Sequence, residues 1–162
     1  MHRTILTYDK PLLHQAVSGF WWRVVGFRFL LALALVGTGL IVSIRGGDTS
    51  WVVGVLGSVL ALGIYFAVAL YVVHYRNAVH KLRAMGSPQA TLEASENSLS
   101  LSSGAGTASL PWSAITEVWQ FKTCWLLMLS KSQFLTLPLA SLTPELAAFV
   151  LARVQASGGK VD

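Results

Sequence analysis

The sequence predicts a membrane α+β protein: a two-helix transmembrane hairpin joined to a small antiparallel β-sheet domain capped by a C-terminal α-helix. Three observations predict it. Apolar residues make up 54% of the chain and charged residues only 12%, whereas a soluble domain carries roughly 25% charged residues. Two long uncharged runs lie close together, separated by a short glycine-rich link. From Ala90 onward the apolar residues recur every second position, the period of a strand rather than of a helix.

The second run, Trp51 to Val73, holds no charge. As a helix it is about 34 Å long at ~1.5 Å per residue, enough to cross a hydrocarbon core of about 30 Å. Trp51 marks one interface and Tyr71 with Tyr75 the other, where Arg76, Lys81 and Arg83 follow. The first run is shorter: Phe29 to Ile44 gives roughly 24 Å. It is expected to extend back towards Phe20, which brings Arg28 and Arg23 near the headgroups, where long side chains can snorkel. Trp21 and Trp22 fit an aromatic belt. The run lies far from Met1, lacks a small-x-small cleavage site and is soon followed by the second span, so it reads as an anchor and not as a signal peptide.

The link Arg45-Gly46-Gly47-Asp48-Thr49-Ser50 makes the spans an antiparallel pair, with spans at about 22–44 and 51–73. Its two charges cancel. Arg3, Lys10, Arg23 and Arg28, then Arg76, Lys81 and Arg83, lie on the other side. The positive-inside rule places both termini in the cytoplasm. Arg23, Arg28, Arg76, Lys81 and Arg83 are the candidate lipid-headgroup contacts. The net charge of +5 comes from only twelve Lys and Arg, most of them flanking apolar runs. That pattern fits a membrane surface and excludes a nucleic-acid groove. Small-xxx-small pairs (Gly54 with Ser58, Gly57 with Ala61, Gly63 with Ala67) allow close helix approach. The approach is either to the first span, with its Gly37 and Gly39, or to a second copy. Neither span centre holds Asp, Glu, Lys or His, which argues against a pump or transporter acting as a monomer.

Three segments divide the chain. Residues 1–19 form a cytoplasmic β-leaning piece, Thr4 to Tyr8, and an amphipathic helix. Asp9 offers its N-cap, Pro11 sits in its first turn, and Leu12, Leu13, Ala16, Val17 and Phe20 form its apolar face. Residues 20–83 form the hairpin and its basic extension, ended by Gly86-Ser87-Pro88. Residues 84–162 form the β domain. Its strands are read at Thr91 to Ser95, around Leu99 and Leu101, at Thr107 to Leu110, Ile115 to Phe121, Cys124 to Ser130 and Phe134 to Leu137. Turns fall at Ser103 to Gly106 and at Lys131-Ser132-Gln133. The closing helix has Thr143 as cap, Pro144 at its first position, Glu145 on the dipole, and Leu146, Ala147, Val150, Leu151 and Val154 as its apolar face. Ser157-Gly158-Gly159 stops it. A domain this small rarely has stability to spare. It is therefore expected to lean on the N-terminal strand, the basic helix end, the membrane or a second copy.

No catalytic constellation is legible. Gly104-x-Gly106 has no following Lys and reads as a turn. The four histidines show no metal-ligand spacing, no nucleophile elbow frames a serine, and Cys124, the single cysteine, sits in an apolar run. Neither enzyme activity, cofactor nor metal is expected. The richest feature of the tail is its aromatic set: Trp112, Trp119, Phe121, Trp125 and Phe134. Ile115, Glu117, Trp119 and Phe121 are read as one strand face, Thr116, Val118 and Gln120 as the other. These aromatics are either core beneath the final helix or an exposed patch for a partner, with Trp119 and Phe121 the candidate partner-binding pair.

Leu99 to Leu101 before a turn, Leu110-Pro111-Trp112-Ser113-x-Ile115, the apolar hairpin of Trp125 to Leu129 with Phe134 to Pro138, the closing helix, and upstream Leu6-Thr7-Tyr8-Asp9-Lys10 together resemble the YcxB-like family of bacterial membrane proteins. The resemblance implies two N-terminal spans and a C-terminal domain akin to bacterial pleckstrin-homology-like modules. It implies no activity. Leu139 and Ala140 stand where that family often carries a basic residue. Three functions remain open from sequence. The first is a membrane-anchored, non-enzymatic interaction module that meets the lipid bilayer and a protein partner or a second copy. The second is an immunity protein neutralising a membrane-targeting or cytoplasmic antibacterial toxin. The third is an oligomeric transport or channel subunit.

Overall fold

A computed structural model describes residues 2–162. The chain divides into two compact units: residues 2–16 with 77–162, and residues 17–76. Each follows from its own sequence pattern.

The first unit contains two four-stranded sheets and a helix. Strand β1 (His2–Thr7) pairs antiparallel with β2 (Gln89–Ala94), β2 with β3 (Ser98–Ser103), and β3 with β4 (Gly106–Pro111), giving the order β1-β2-β3-β4. The N-terminal strand is thus a full member of the tail's sheet. Thr4 lies opposite Leu92 and Leu6 opposite Ala90, and both Leu6 and Leu92 are fully buried. The serine/leucine alternation of β3 explains its placement, since Leu99 faces the core while the serines face out.

The second sheet has the order β7-β6-β5-β8. β5 (Glu117–Gln120), β6 (Cys124–Met128) and β7 (Phe134–Pro138) form an antiparallel meander. β8 (Lys160–Val161) lies parallel to β5, an addition that so short a segment after a Gly-Gly pair did not announce. Every residue of β6 is buried, so this strand is covered on both faces. Helix α3 (Pro144–Ala156) closes the core with Leu146, Val150 and Val154. Its start follows the expected chemistry: the Leu146 N–H donates to Thr143 Oγ1 at 3.3 Å. The N-terminal N–H groups and Thr143 hold the Glu145 carboxyl below its ordinary pKa.

The second unit comprises the greater part of two long helices, α1 (Lys10–Arg45) and α2 (Trp51–Ala84). Asp9 caps α1, its Oδ1 accepting from the Leu12 N–H at 2.7 Å. The first span does extend back past Phe20, but α1 is broken at Gly26, whose φ of 65° and ψ of 166° lie outside the helical region. Only glycine takes that conformation cheaply. Residues 27–45 then form a straight run of about 28 Å, so Arg28 stands at its beginning and Arg23 on the segment before the break. α2 shows no such break. The link carries Asp48, whose Oδ1 accepts from the Ser50 N–H at 2.8 Å, and that bond holds the carboxyl below its ordinary pKa.

Candidate functional site

Three groups of residues carry the expected function: the faces of the two long helices, the basic residues at their ends, and the aromatics of the tail.

The helices are long and apolar enough to cross a membrane, and only 6% of the most apolar window of each is buried. Phe27, Leu35 and Ile41 of α1 and Trp51, Leu62 and Tyr65 of α2 are all more than half exposed. Between residues 17 and 76 the two helices meet each other at several points. Trp21 Nε1 donates to the Ala67 carbonyl at 2.7 Å, Phe29 meets Phe66 edge-on at 5.9 Å, and Phe20 lies 4.6 Å from the His74 ring. The small residues divide between two roles. A Cβ on Gly63 would collide with Leu33, and one on Gly37 would touch Leu60, so these two permit the hairpin's own packing. Gly39, Gly54 and Gly57 face open space.

Arg23 and Arg28 are exposed on α1, and Arg76, Lys81 and Arg83 are exposed on α2. Arg76, His80 and Arg83 fall at i, i+4 and i+7, which lines them along one side of the helix. The ion pairs of the tail use other residues: Arg3 with Glu93 at 3.4 Å and Arg153 with Glu96. Arg76, Lys81 and Arg83 are thus exposed cations at the end of an apolar helix, an arrangement suited to anionic headgroups.

The aromatics split. Trp112 and Trp125 are buried core residues, and Trp112 Nε1 donates to the Ser95 carbonyl at 3.1 Å. Trp119, Phe121 and Phe134 are half-buried. Within β5 the alternation is as expected, with Glu117 and Trp119 on one face and Val118 and Gln120 on the other, but the placement of Ile115 needs correction. Val118, not Trp119, faces the main core, and Ile115 joins Val118 there. Strand pairing begins only at Glu117, after the turn of 3-10 helix at Trp112–Ala114. Ile115 and Thr116 lie between that turn and the start of β5, so the strand's alternation does not extend to Ile115, which joins the core with Val118. Trp119 lies opposite Leu126 on the other side of the sheet, and its Nε1 donates to Glu117 Oε2 at 2.7 Å.

Two features were invisible as site elements in the sequence. Tyr8 is buried, and its hydroxyl donates to the Thr136 carbonyl at 3.0 Å. Burial pushes its pKa well above the ordinary value. Thr123 Oγ1 donates to Gln15 Oε1 at 2.6 Å, fastening the first turns of α1 to the second sheet. Cys124 is fully buried, and desolvation raises its thiol pKa despite a hydrogen bond with Thr123, so it is a packing residue.

The family model described as YcxB-like protein matches residues 94–152. The match begins at the last residue of β2 and ends within α3, so β1 and β8 lie outside it. Comparison with curated proteins and with solved structures gave no match. Residues 94–152 of the sheet-and-helix unit are therefore similar to the YcxB-like family, in a chain that also carries two helices long and apolar enough to cross a membrane.

Proposed function

We propose that the chain is a membrane-anchored, non-enzymatic interaction module of the bacterial inner membrane. The two helices cross the bilayer, and the YcxB-like domain stands on the cytoplasmic side with both termini. Arg23, Arg28, Arg76, Lys81 and Arg83 meet the headgroups, and the domain meets a protein partner.

The observation that carries this reading is the pairing of β1 with β2. One strand precedes both long helices and the other follows them, yet they are neighbours in a single sheet. If the helices cross a bilayer, the pairing requires that the chain leave and return on the same side. The exposed apolar faces supply the reason to cross, since lipid is the solvent in which such faces cost nothing. The positive residues at the helix ends and the charge-cancelled Arg45/Asp48 link supply the direction. Trp119 and Phe121, half-buried beside the exposed Gln120 and Lys122, are the partner-binding residues of this reading.

Single-cysteine labelling in intact spheroplasts tests it, because native Cys124 is buried and silent. Thr49→Cys should react with a membrane-impermeant maleimide from outside, and Ser157→Cys only after lysis. The reverse pattern, or labelling of both from outside, overturns the assignment.

A further inference from the structure

We propose that strand β4 is a homodimerisation seam, pairing antiparallel with β4 of a second copy about a two-fold axis at Ala108. The inference rests on the reading of the chain as an interaction module and names its partner.

The two sheets have four edges, and three are either short or met by another segment of the chain. β1 is covered by the turn after β7, where Thr4 Oγ1 donates to the Ser141 carbonyl at 2.8 Å and the Thr7 N–H donates to Ser141 Oγ at 3.2 Å. The edge strand β7 is met by Tyr8, whose hydroxyl donates to the Thr136 carbonyl. β8 has only two residues. β4 has six, of which the first four are exposed, and among the described residues no backbone hydrogen bond reaches it except those of its ladder with β3. Natural edges are blunted by charge, proline or a bulge. β4 carries no charge, and the chain holds none from Asn97 through Thr116. Its one proline, Pro111, sits at the strand end.

The direction of the free backbone groups can be read from β3. The Ser98 N–H donates to Ser95 Oγ, and its carbonyl accepts from the Ser95 N–H, so Ser98 bonds away from β4. By the alternation of antiparallel ladders, Leu99 and Leu101 then bond towards Leu110 and Ala108. Thr107 and Ser109 are left with N–H and C=O pointing outward. Centring a two-fold axis on Ala108 sets Thr107 against Ser109 of the second copy twice over, which satisfies all of these groups.

The side chains fit the same register. On the outer face Ser100 Oγ donates to Ser109 Oγ at 3.0 Å, and Ser102 and Thr107 share a hydrogen bond of 2.8 Å. Across the axis Ser109 meets Thr107 of the second copy, so both hydroxyl rows continue from one sheet into the next. Such Ser/Thr cross-strand pairs are favourable, and no like charges oppose. Two copies tethered in one membrane also meet at raised effective concentration.

Oxidative cross-linking of the full chain in membranes tests this. Ala108 faces Ala108 of the second copy as a non-hydrogen-bonded pair, with Cα atoms about 4.5 Å apart, within the range a disulfide spans. Ala108→Cys should form a covalent homodimer at least tenfold more readily than Ser102→Cys, which is exposed on an interior strand. Adding Thr107→Lys and Ser109→Lys should abolish that dimer while leaving the protease resistance of the domain unchanged. Equal yields from Ala108→Cys and Ser102→Cys, or a dimer indifferent to the lysines, overturns the seam. Cross-linking of Ala108→Cys to a different protein also overturns it, while leaving the interaction-module reading standing.

Discussion

The helical pair and the β unit are both rich in apolar side chains and dispose of them in opposite ways. In the β unit Leu92, Leu99, Val118, Leu127 and Leu137 are at most 1% exposed. In the helical pair Leu35, Leu62 and Tyr65 are exposed by 65%, 67% and 71%. A chain folding in water alone would not leave so much large apolar surface contiguous. The difference teaches that the two units differ in what covers their apolar side chains: the core of the β unit covers its own, and the long helices leave theirs uncovered. The β unit is stabilised by removing apolar area from water, whereas helices of this kind, on the proposed reading, are stabilised in lipid by closing their own backbone hydrogen bonds, with small residues allowing close approach.

The largest expected effect comes from removing β1. Deleting residues 2–7 strips the pairing partner from β2 and empties the site of Leu6. The domain of the membrane-embedded protein should then lose its protease resistance entirely, although the family match lies wholly within the remaining residues. A domain that stays resistant would show that β1 is an accessory and not a member of the sheet.

Matched truncations sharpen the contrast in solvent. Leu127→Ala should cost about 2–5 kcal/mol, as buried leucines do, read as a lowered midpoint for unfolding of the β unit in mild detergent. Leu62→Ala should change the same midpoint by less than about 0.5 kcal/mol, as substitutions outside packed sites do. Equal costs would mean that the helical pair also has a packed core against something.

Tyr8→Phe is expected to cost about 1–2 kcal/mol near neutral pH, by leaving a buried carbonyl without its partner. It should also change the alkaline behaviour. Burial raises the Tyr8 pKa in the folded protein above its ordinary value near 10, so the neutral phenol is the form the fold accepts. The stabilisation is fully present below pH 10. It declines as pH rises from there towards the folded pKa, by about 1.4 kcal/mol per unit. Unfolding midpoints followed from pH 9 to 11 should fall more steeply for the native chain than for Tyr8→Phe. Parallel curves would remove Tyr8 as the cause.

The smallest effect tests the end of the chain. Thr143→Ala removes the cap of α3 and should destabilise the β unit by about 1 kcal/mol, visible as a modest shift of the same unfolding midpoint. Restoration by Thr143→Ser, which can also cap, separates capping from packing.

Local chemistry was the legible part. Asp9, Thr143 and Pro144 announced two helix starts, because a cap acts within three residues of its own position. The alternation around Leu99 and Leu101 announced a strand with one buried face. The burial of β6 on both faces was less legible, since a short apolar run does not say how many of its sides are covered. The face of Ile115 was misread because this residue lies before the paired strand, and no periodicity records where pairing begins. The headgroup candidates were all found exposed, as runs of Lys and Arg beside apolar helices usually are. The unprotected edge at β4 could have been suspected from the charge-free stretch between Glu96 and Glu117, but nothing in that stretch identifies it as an edge.

The sequence by itself determined the division of labour: two stretches too apolar and too long for a small core, a strand-period tail, and the chemistry that starts and stops each helix. These follow from composition and from contacts a few residues apart. The tertiary structure alone decided that β1 joins β2 across the whole hairpin, that α1 breaks at Gly26, that β8 runs parallel to β5, and that β4 is the edge left open. Each of these depends on which segments distant in the chain become neighbours. That choice is set by the burial of Leu6, Leu92 and Val118 in one shared core, and no local pattern carries it.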